Sequence, residues 1–179
     1  MSLKLHLGCG MKKIHSFVNI DALAAVNPDS IQDVFTLPKV KSDSVDLIYA
    51  CHVLGHSGRV TSRVVLTRWM AVLKRGGVLR LAVPDIEMAM KWYLMHGELS
   101  DIAGFLWGGQ RNQYDHHGVG FDFQTLANLL NECGFTDVRR WDWKQTEHAH
   151  VDDYSQSYLP HMNKITGQLM SLNVEATKP

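Results

Sequence analysis

Apolar and polar residues alternate with period two over Leu5-His6-Leu7, and the run closes in Gly8-Cys9-Gly10. That pattern predicts a buried strand ending in a tight turn where backbone approaches something closely. A second apolar run closes in Asn19-Ile20-Asp21, with Asp21 eleven residues beyond Gly10. Ala22 to Pro28 is a short segment that the proline ends, and Ile31-Gln32-Asp33-Val34-Phe35 predicts a brief strand. After the turn cluster Ser42-Asp43-Ser44, the β-formers of Val45-Asp46-Leu47-Ile48-Tyr49-Ala50 predict another strand.

Helical spacing then takes over. Val64, Val65, Trp69, Val72 and Leu73 recur on one face between Arg59 and Lys74, with Gly76-Gly77 as the stop. Val78 to Val83 returns as a strand ended by Pro84-Asp85, so strand, helix and strand form a right-handed βαβ crossover in a parallel sheet. Ile86 to Met95 predicts a further helix packed on that sheet. From Gly97 to Gly120 the periodicity fails, and Gly108 to Gly118 is polar, aromatic and glycine-rich, the composition of a functional lid or a mobile loop.

Asp122 is placed to N-cap a helix carrying Leu126, Leu129, Leu130 and Cys133 on one face, with Phe121 stapled against Leu126 and Gly134 in the C′ position. Thr136 to Trp143 and Ser171 to Ala176 both alternate as strands. The segment joining them is polar and shows no crossover helix, which favours an antiparallel pair and hence a mostly parallel sheet with a reversed edge. With no repeat, low-complexity tract or linker in its 179 residues, residues 1–179 read as one domain.

Composition narrows the function class. Apolar content of 45% and charged content of 20% are those of a soluble globule, and a formal net charge of +0 supplies no global field for nucleic acid or an anionic membrane. The start lacks an apolar core with a cleavage site, and no run approaches the roughly 20 apolar residues of a membrane span. Cys9, Cys51 and Cys133 lie far apart in apolar surroundings, which reads as free thiols in a reducing cytoplasm.

The candidate chemistry sits at the strand ends. A carboxylate closing the second strand suits a ribose diol, so Gly8, Gly10 and Asp21 suggest a nucleoside-type cofactor; the bland reading is a tight turn with a strand-end aspartate. A dinucleotide loop adds a third glycine where Lys13 stands, which weakens NAD, and no phosphate-binding Gly-x-x-x-x-Gly-Lys-Ser/Thr run exists. In the later loop Tyr114, Asp115, His116 and His117 offer a phenol, an orienting carboxylate and a base. His148, His150, Asp152 and Asp153 have metal-ligand chemistry but lie in a segment that reads as a solvated connection, so no metal is expected. The five tryptophans read as packing, with Trp107 also able to wall a pocket.

Taken in order, the glycine strand, the acidic strand end, Asp33 before Leu37-Pro38, Ser44-Val45-Asp46, Val72 to Gly77 and Val83-Pro84-Asp85 resemble the class I S-adenosylmethionine-dependent methyltransferases. The likeness extends to their small members, whose His-Val-Leu-Glu-His segment is matched by His52-Val53-Leu54-Gly55-His56; it runs from Leu5 to about Phe135, and Ser171 to Ala176 is also similar.

The resemblance implies an α/β Rossmann-like fold with a seven-stranded sheet, an antiparallel last strand, and S-adenosylmethionine as cofactor with S-adenosylhomocysteine as product. By position it implies that Gly8, Cys9 and Gly10 line the methionine moiety and Asp21 binds the ribose hydroxyls. Asp33 and Val34 fall near adenine, and Cys51 or His52 close to the sulfonium. Three departures shape the expectation: Asp21 comes at about half the roughly 20-residue spacing of a full first βαβ unit, Gly55 replaces a glutamate, and the chain begins at strand one without an N-terminal helical cover.

These features predict in-line methyl transfer to a small-molecule or sugar-like acceptor, with His117 or His56 as the base and Tyr114 beside them. No nucleic acid or membrane partner is expected, and a homodimer would cover the acceptor side. The rival readings are a non-catalytic module that binds S-adenosylmethionine or S-adenosylhomocysteine, and an NAD-dependent oxidoreductase.

Overall fold

The computed structural model describes residues 2–179. Strands β1 (Lys4–Leu7), β2 (Val18–Asp21), β3 (Ser30–Ile31), β4 (Val45–Cys51), β5 (Leu73–Pro84), β6 (Thr136–Arg140) and β9 (Ser171–Thr177) form one sheet in the order β3-β2-β1-β4-β5-β9-β6. β9 runs antiparallel to both β5 and β6, one strand in from the edge, and the pairings from β3 to β5 are parallel. A separate small hairpin pairs β7 (Tyr158–Leu159) with β8 (Gln168–Leu169).

Strand alternation gives the sheet two unlike faces. Leu5, Leu7, Ile20, Leu79, Leu81, Val83, Leu172, Val174 and Ala176 point into the main core. There they meet α1 (Thr61–Val72) through Val65, Leu66 and Trp69, and α4 (Phe123–Glu132) through Leu126 and Leu130. The intervening residues His6, Asn19, Tyr49, Asn173 and Glu175 are buried on the polar side.

No helix separates β1 from β2, so the first unit is shortened as the spacing predicts. Ile14 and Phe17 of that connection pack on Tyr49 and Cys51, with Trp141 and Val151 packed against them. The segment between β6 and β9 is therefore a cover over the sheet, in place of the predicted solvated connection. His148 lies 2% exposed beneath it, Asp152 pairs with Lys164, and Asp153 accepts the Tyr49 hydroxyl at 2.7 Å. Of the four residues of the metal reading, His148, Asp152 and Asp153 are thus engaged with different partners.

Other boundaries shift for local reasons. The Asp33 carboxylate accepts the Phe35 amide at 2.8 Å, turning the chain where a strand over 31–35 was expected. Helix α1 stops at Leu73, and Gly76-Gly77 belongs to a bulge of β5 held against Lys178 instead of capping the helix. β6 ends at Arg140 because Asp142 caps a 3-10 turn at Trp143–Gln145. The stretch taken as irregular contains α3 (Leu99–Trp107), and α2 (Ile86–His96) packs mainly on it, with Ala89, Trp92, Ile102 and Met170 as a satellite core, instead of on the sheet. Among the described residues no helix is long and apolar enough to cross a membrane.

Helix α4 follows its predicted caps. Asp122 and Thr125 form a reciprocal capping box, and Phe135 and Gly134 donate to Leu130 and Asn131 in the six-to-one and five-to-two pattern of a Schellman stop. Asp122→Ala is expected to lower stability by about 1 kcal/mol in urea unfolding, leaving ligand binding unchanged.

Candidate functional site at the carboxyl ends of the central strands

β1, β2 and β4 end side by side, and their last residues build one edge of the site. Gly8 and Gly10 adopt φ values of +60° and +50°, which a side chain disfavours. They differ in surroundings: a Cβ on Gly8 would lie 2.5 Å from Val53 Cγ2, whereas one on Gly10 would meet nothing within 4 Å. Gly8 thus seals the turn against the residue following His52, and Gly10 borders open space.

Asp21 ties this turn to β2. Its Oδ2 accepts the Gly10 amide at 2.9 Å and its Oδ1 accepts the Leu23 amide at 2.9 Å. Each carboxylate oxygen keeps a second lone pair, so Asp21 offers the acceptors that the two hydroxyl donors of a ribose diol require. Cys9 is buried, and burial followed by the neighbouring Asp21 carboxylate raises its thiol to about 11, so it is a neutral packing group here. Asp33 is exposed and Val34 packs against the core, its carbonyl accepting the Trp69 indole at 2.8 Å. The Gln32 amide donates to the Asp21 carbonyl, which keeps the start of this turn beside the ribose-binding candidate.

At the end of β4, Cys51 is buried, and burial raises its thiol well above the usual range. His52 stands at φ +53° with its amide donating to Ala82. Burial, reinforced by His117 and His56, lowers its imidazole to about 3, so the ring is neutral at physiological pH.

Two further histidines face each other beyond it. His117 Nδ1 lies 3.0 Å from the Phe105 carbonyl and His56 Nδ1 3.1 Å from the His116 carbonyl. A carbonyl only accepts, so both rings carry their proton on Nδ1 and present Nε2 as the basic atom. Their centroids are 4.9 Å apart, and His117 is lowered by burial and then by His56. The His117 ring rests over Gly55: a Cβ there would sit 3.4 Å from its Cδ2 and 3.7 Å from its Nε2.

The fold is that of known S-adenosylmethionine-dependent methyltransferases. One from Thermotoga maritima superposes with a TM-score of 0.65 at 14% identity, covering 100% of this chain and 83% of its own. One from Archaeoglobus fulgidus gives 0.63 at 13%, covering 99% and 86%. A third, from Methanosarcina mazei, gives 0.60 at 17%, covering 98% and 91%. The chain has the class I methyltransferase fold. No protein-family model matches the sequence, and no curated protein matches it either.

Within this methyltransferase fold the predicted loop cluster is only partly assembled. His117 and His56 meet, but the Asp115 carboxylate accepts from Arg111 Nε at 2.6 Å and from loop amides instead of orienting a histidine. Phe105 supplies the orienting carbonyl. Tyr114 lies on the outer surface, 50% exposed. The aromatic neighbour the sequence did not single out is Tyr154, whose ring lies tilted by 33° against His52 with centroids 5.2 Å apart. It lies in the cover between β6 and β9, anchored through Asp153, and only its aspartate N-cap signals the turn that presents it.

Proposed function

We propose that the chain is an S-adenosylmethionine-dependent methyltransferase acting on a small-molecule or sugar-like acceptor. The single observation that carries this reading is the Gly10–Asp21 edge: open space beside Gly10, and an aspartate at the end of β2 with lone pairs to spare, on a methyltransferase fold. Gly8, Cys9 and Gly10 would line the methionine portion, Asp21 the ribose, Asp33 and Val34 the adenine, and Cys51 and His52 the region of the sulfonium.

S-adenosylmethionine supplies an already activated methyl group, so the chain's own work is to align the acceptor, exclude water and take its proton. His117 is suited to the last task. Its Nδ1 proton is fixed on the Phe105 carbonyl, its Nε2 lone pair is free, and its lowered pKa keeps it unprotonated near neutrality. His56 is a second base in contact with it.

His117→Ala is expected to lower turnover by about 10²–10⁴-fold, the usual contribution of a general base, with S-adenosylhomocysteine affinity unchanged. Turnover of an oxygen or nitrogen acceptor that survives the substitution would remove His117 as the base.

A further inference from the structure

The hydrogen bonds behind His52 have a direction that the chemistry of each group fixes. Asn173 Nδ2 donates to the Ser155 carbonyl at 3.0 Å, so its Oδ1 is the atom that faces Ser171. An amide oxygen only accepts, so the Ser171 hydroxyl proton lies on the 2.9 Å line to Asn173 Oδ1, the Val83 carbonyl at 3.5 Å being the more distant of its two acceptors. With its proton committed there, Ser171 Oγ meets His52 Nε2 at 3.3 Å as an acceptor, and His52 must carry its proton on Nε2. This is the opposite tautomer to that of His56 and His117.

The remaining nitrogen, His52 Nδ1, makes no hydrogen bond within the chain. Among the described residues the side-chain polar atoms both sealed from solvent and unpartnered are the ring nitrogens of His148, so His52 Nδ1 is open. Two further observations mark the position. The residue holds a left-handed backbone conformation that few non-glycine residues adopt, and the Tyr154 ring packs against its own, tilted by 33°. Ser171 and Asn173 are 3% exposed, at the start of the strand paired with β5.

We infer that Ser171 and Asn173 are positioning residues that lock His52 with its proton on Nε2, leaving Nδ1 as a fixed acceptor for the ammonium of the methyl donor's amino-acid portion. The assignment to that ammonium rests on the methyltransferase reading; the lock does not. An imidazole held this way accepts without competing for a proton, which favours a ligand that brings an N–H donor over one that brings an anion.

Nitrogen-15 correlation spectra of histidine-labelled protein read the tautomer directly, since a protonated and an unprotonated ring nitrogen resonate far apart. Wild type is expected to show His52 with the Nε2 proton at pH 7, and Ser171→Ala a mixture of tautomers. Titrated alongside, S-adenosylhomocysteine is expected to bind Ser171→Ala about tenfold more weakly, as for loss of one charge-assisted hydrogen bond. 5′-Methylthioadenosine, which lacks the amino-acid portion, should bind both proteins equally. Ser171→Thr restores the hydroxyl and should rescue both readouts, separating the relay from a general packing defect.

An Nδ1-protonated His52 in wild type, or a tautomer unmoved by Ser171→Ala, would overturn the lock. Equal S-adenosylhomocysteine affinity in the two proteins would overturn the ammonium assignment. If wild type binds neither nucleoside, the methyltransferase reading fails and takes the ammonium assignment with it, while the spectrum still decides the lock.

Discussion

Lowering the pH from 7 to 4 is expected to destabilise the protein strongly, starting above the range where ordinary carboxylates titrate, because several histidines are held inside as neutral rings. Burial lowers His148 to about 4 and His52 to about 3, and it lowers His6 against the opposing hydrogen bond from Asn19. In the unfolded chain each titrates near 6.5 and binds a proton that the folded state refuses, so stability falls as pH drops from about 6.5 toward the folded values. For His148 and His52 the loss at pH 4 is of order 3 kcal/mol each, a large share of the roughly 5–15 kcal/mol of a typical domain.

The Glu147 carboxylate acts in a lower window. Glu147 is raised by its partial burial but pulled down further by Lys4 and Arg80, to about 2, so its contribution is lost only as pH falls from about 4 through that value. The histidine effect is separable by substitution. His148 has both ring nitrogens sealed and unpartnered among Phe17, Tyr49 and Trp141, with Tyr49 at 4.3 Å. His148→Phe keeps a flat ring and removes the unpaired polar atoms, so it should raise the urea midpoint at pH 7 and flatten the fall between pH 6.5 and 4. A variant less stable at pH 7, with the slope unchanged, would mean that the ring nitrogens find partners after all.

Gly8→Ala should damage the proposed nucleoside-binding edge and the fold together. It places a Cβ 2.5 Å from Val53 Cγ2 at a φ of +60°, combining an overpacking cost of about 1–3 kcal/mol with a left-handed strain of about 1–2 kcal/mol. The turn must shift to relieve the clash, and it carries the Gly10 amide that Asp21 holds, so S-adenosylhomocysteine affinity should fall together with stability. Adding Val53→Ala removes the clashing methyl and should recover part of the stability but not the conformational strain. Full tolerance of Gly8→Ala in urea unfolding and in nucleoside titration would show that the turn is not held as described.

The sequence carried the fold wherever burial has a simple period. Alternation in Leu5-His6-Leu7 and in Ser171 to Ala176 marks strands because one face of the sheet is aliphatic and the other polar, and the Asp122 cap with the Gly134 stop marks α4 because end groups have few ways to be satisfied. Helix α3 was hidden for a different reason. Leu99, Ile102, Ala103 and Leu106 do fall at helical spacing there, but the run is only nine residues long between Gly97 and Gly108, carries Gly104 inside it, and buries only Ile102 fully, so the glycines mask it as loop. The long cover between β6 and β9 was equally illegible, since its buried His148 and Ser155, together with Asp153, meet Tyr49 and Asn173 of the sheet, while Gln156 closes a local turn on Ala149 and Val151 that no apolar period announces. The site followed the same division: Gly8, Gly10 and Asp21 stand next to their strands, whereas the meeting of His52 with Ser171 and Tyr154 spans more than 100 residues and no local spacing announces it.

Whether a nucleoside cofactor lies across the Gly10–Asp21 edge is decided by calorimetric titration of wild type and Asp21→Ala with S-adenosylhomocysteine, with NAD as the comparison ligand. The predicted result is stoichiometric binding of S-adenosylhomocysteine to wild type, at least tenfold weaker binding to Asp21→Ala, and no competition from NAD. No detectable binding to wild type at high micromolar concentration, or equal binding to both proteins, would mean that Asp21 holds no nucleoside.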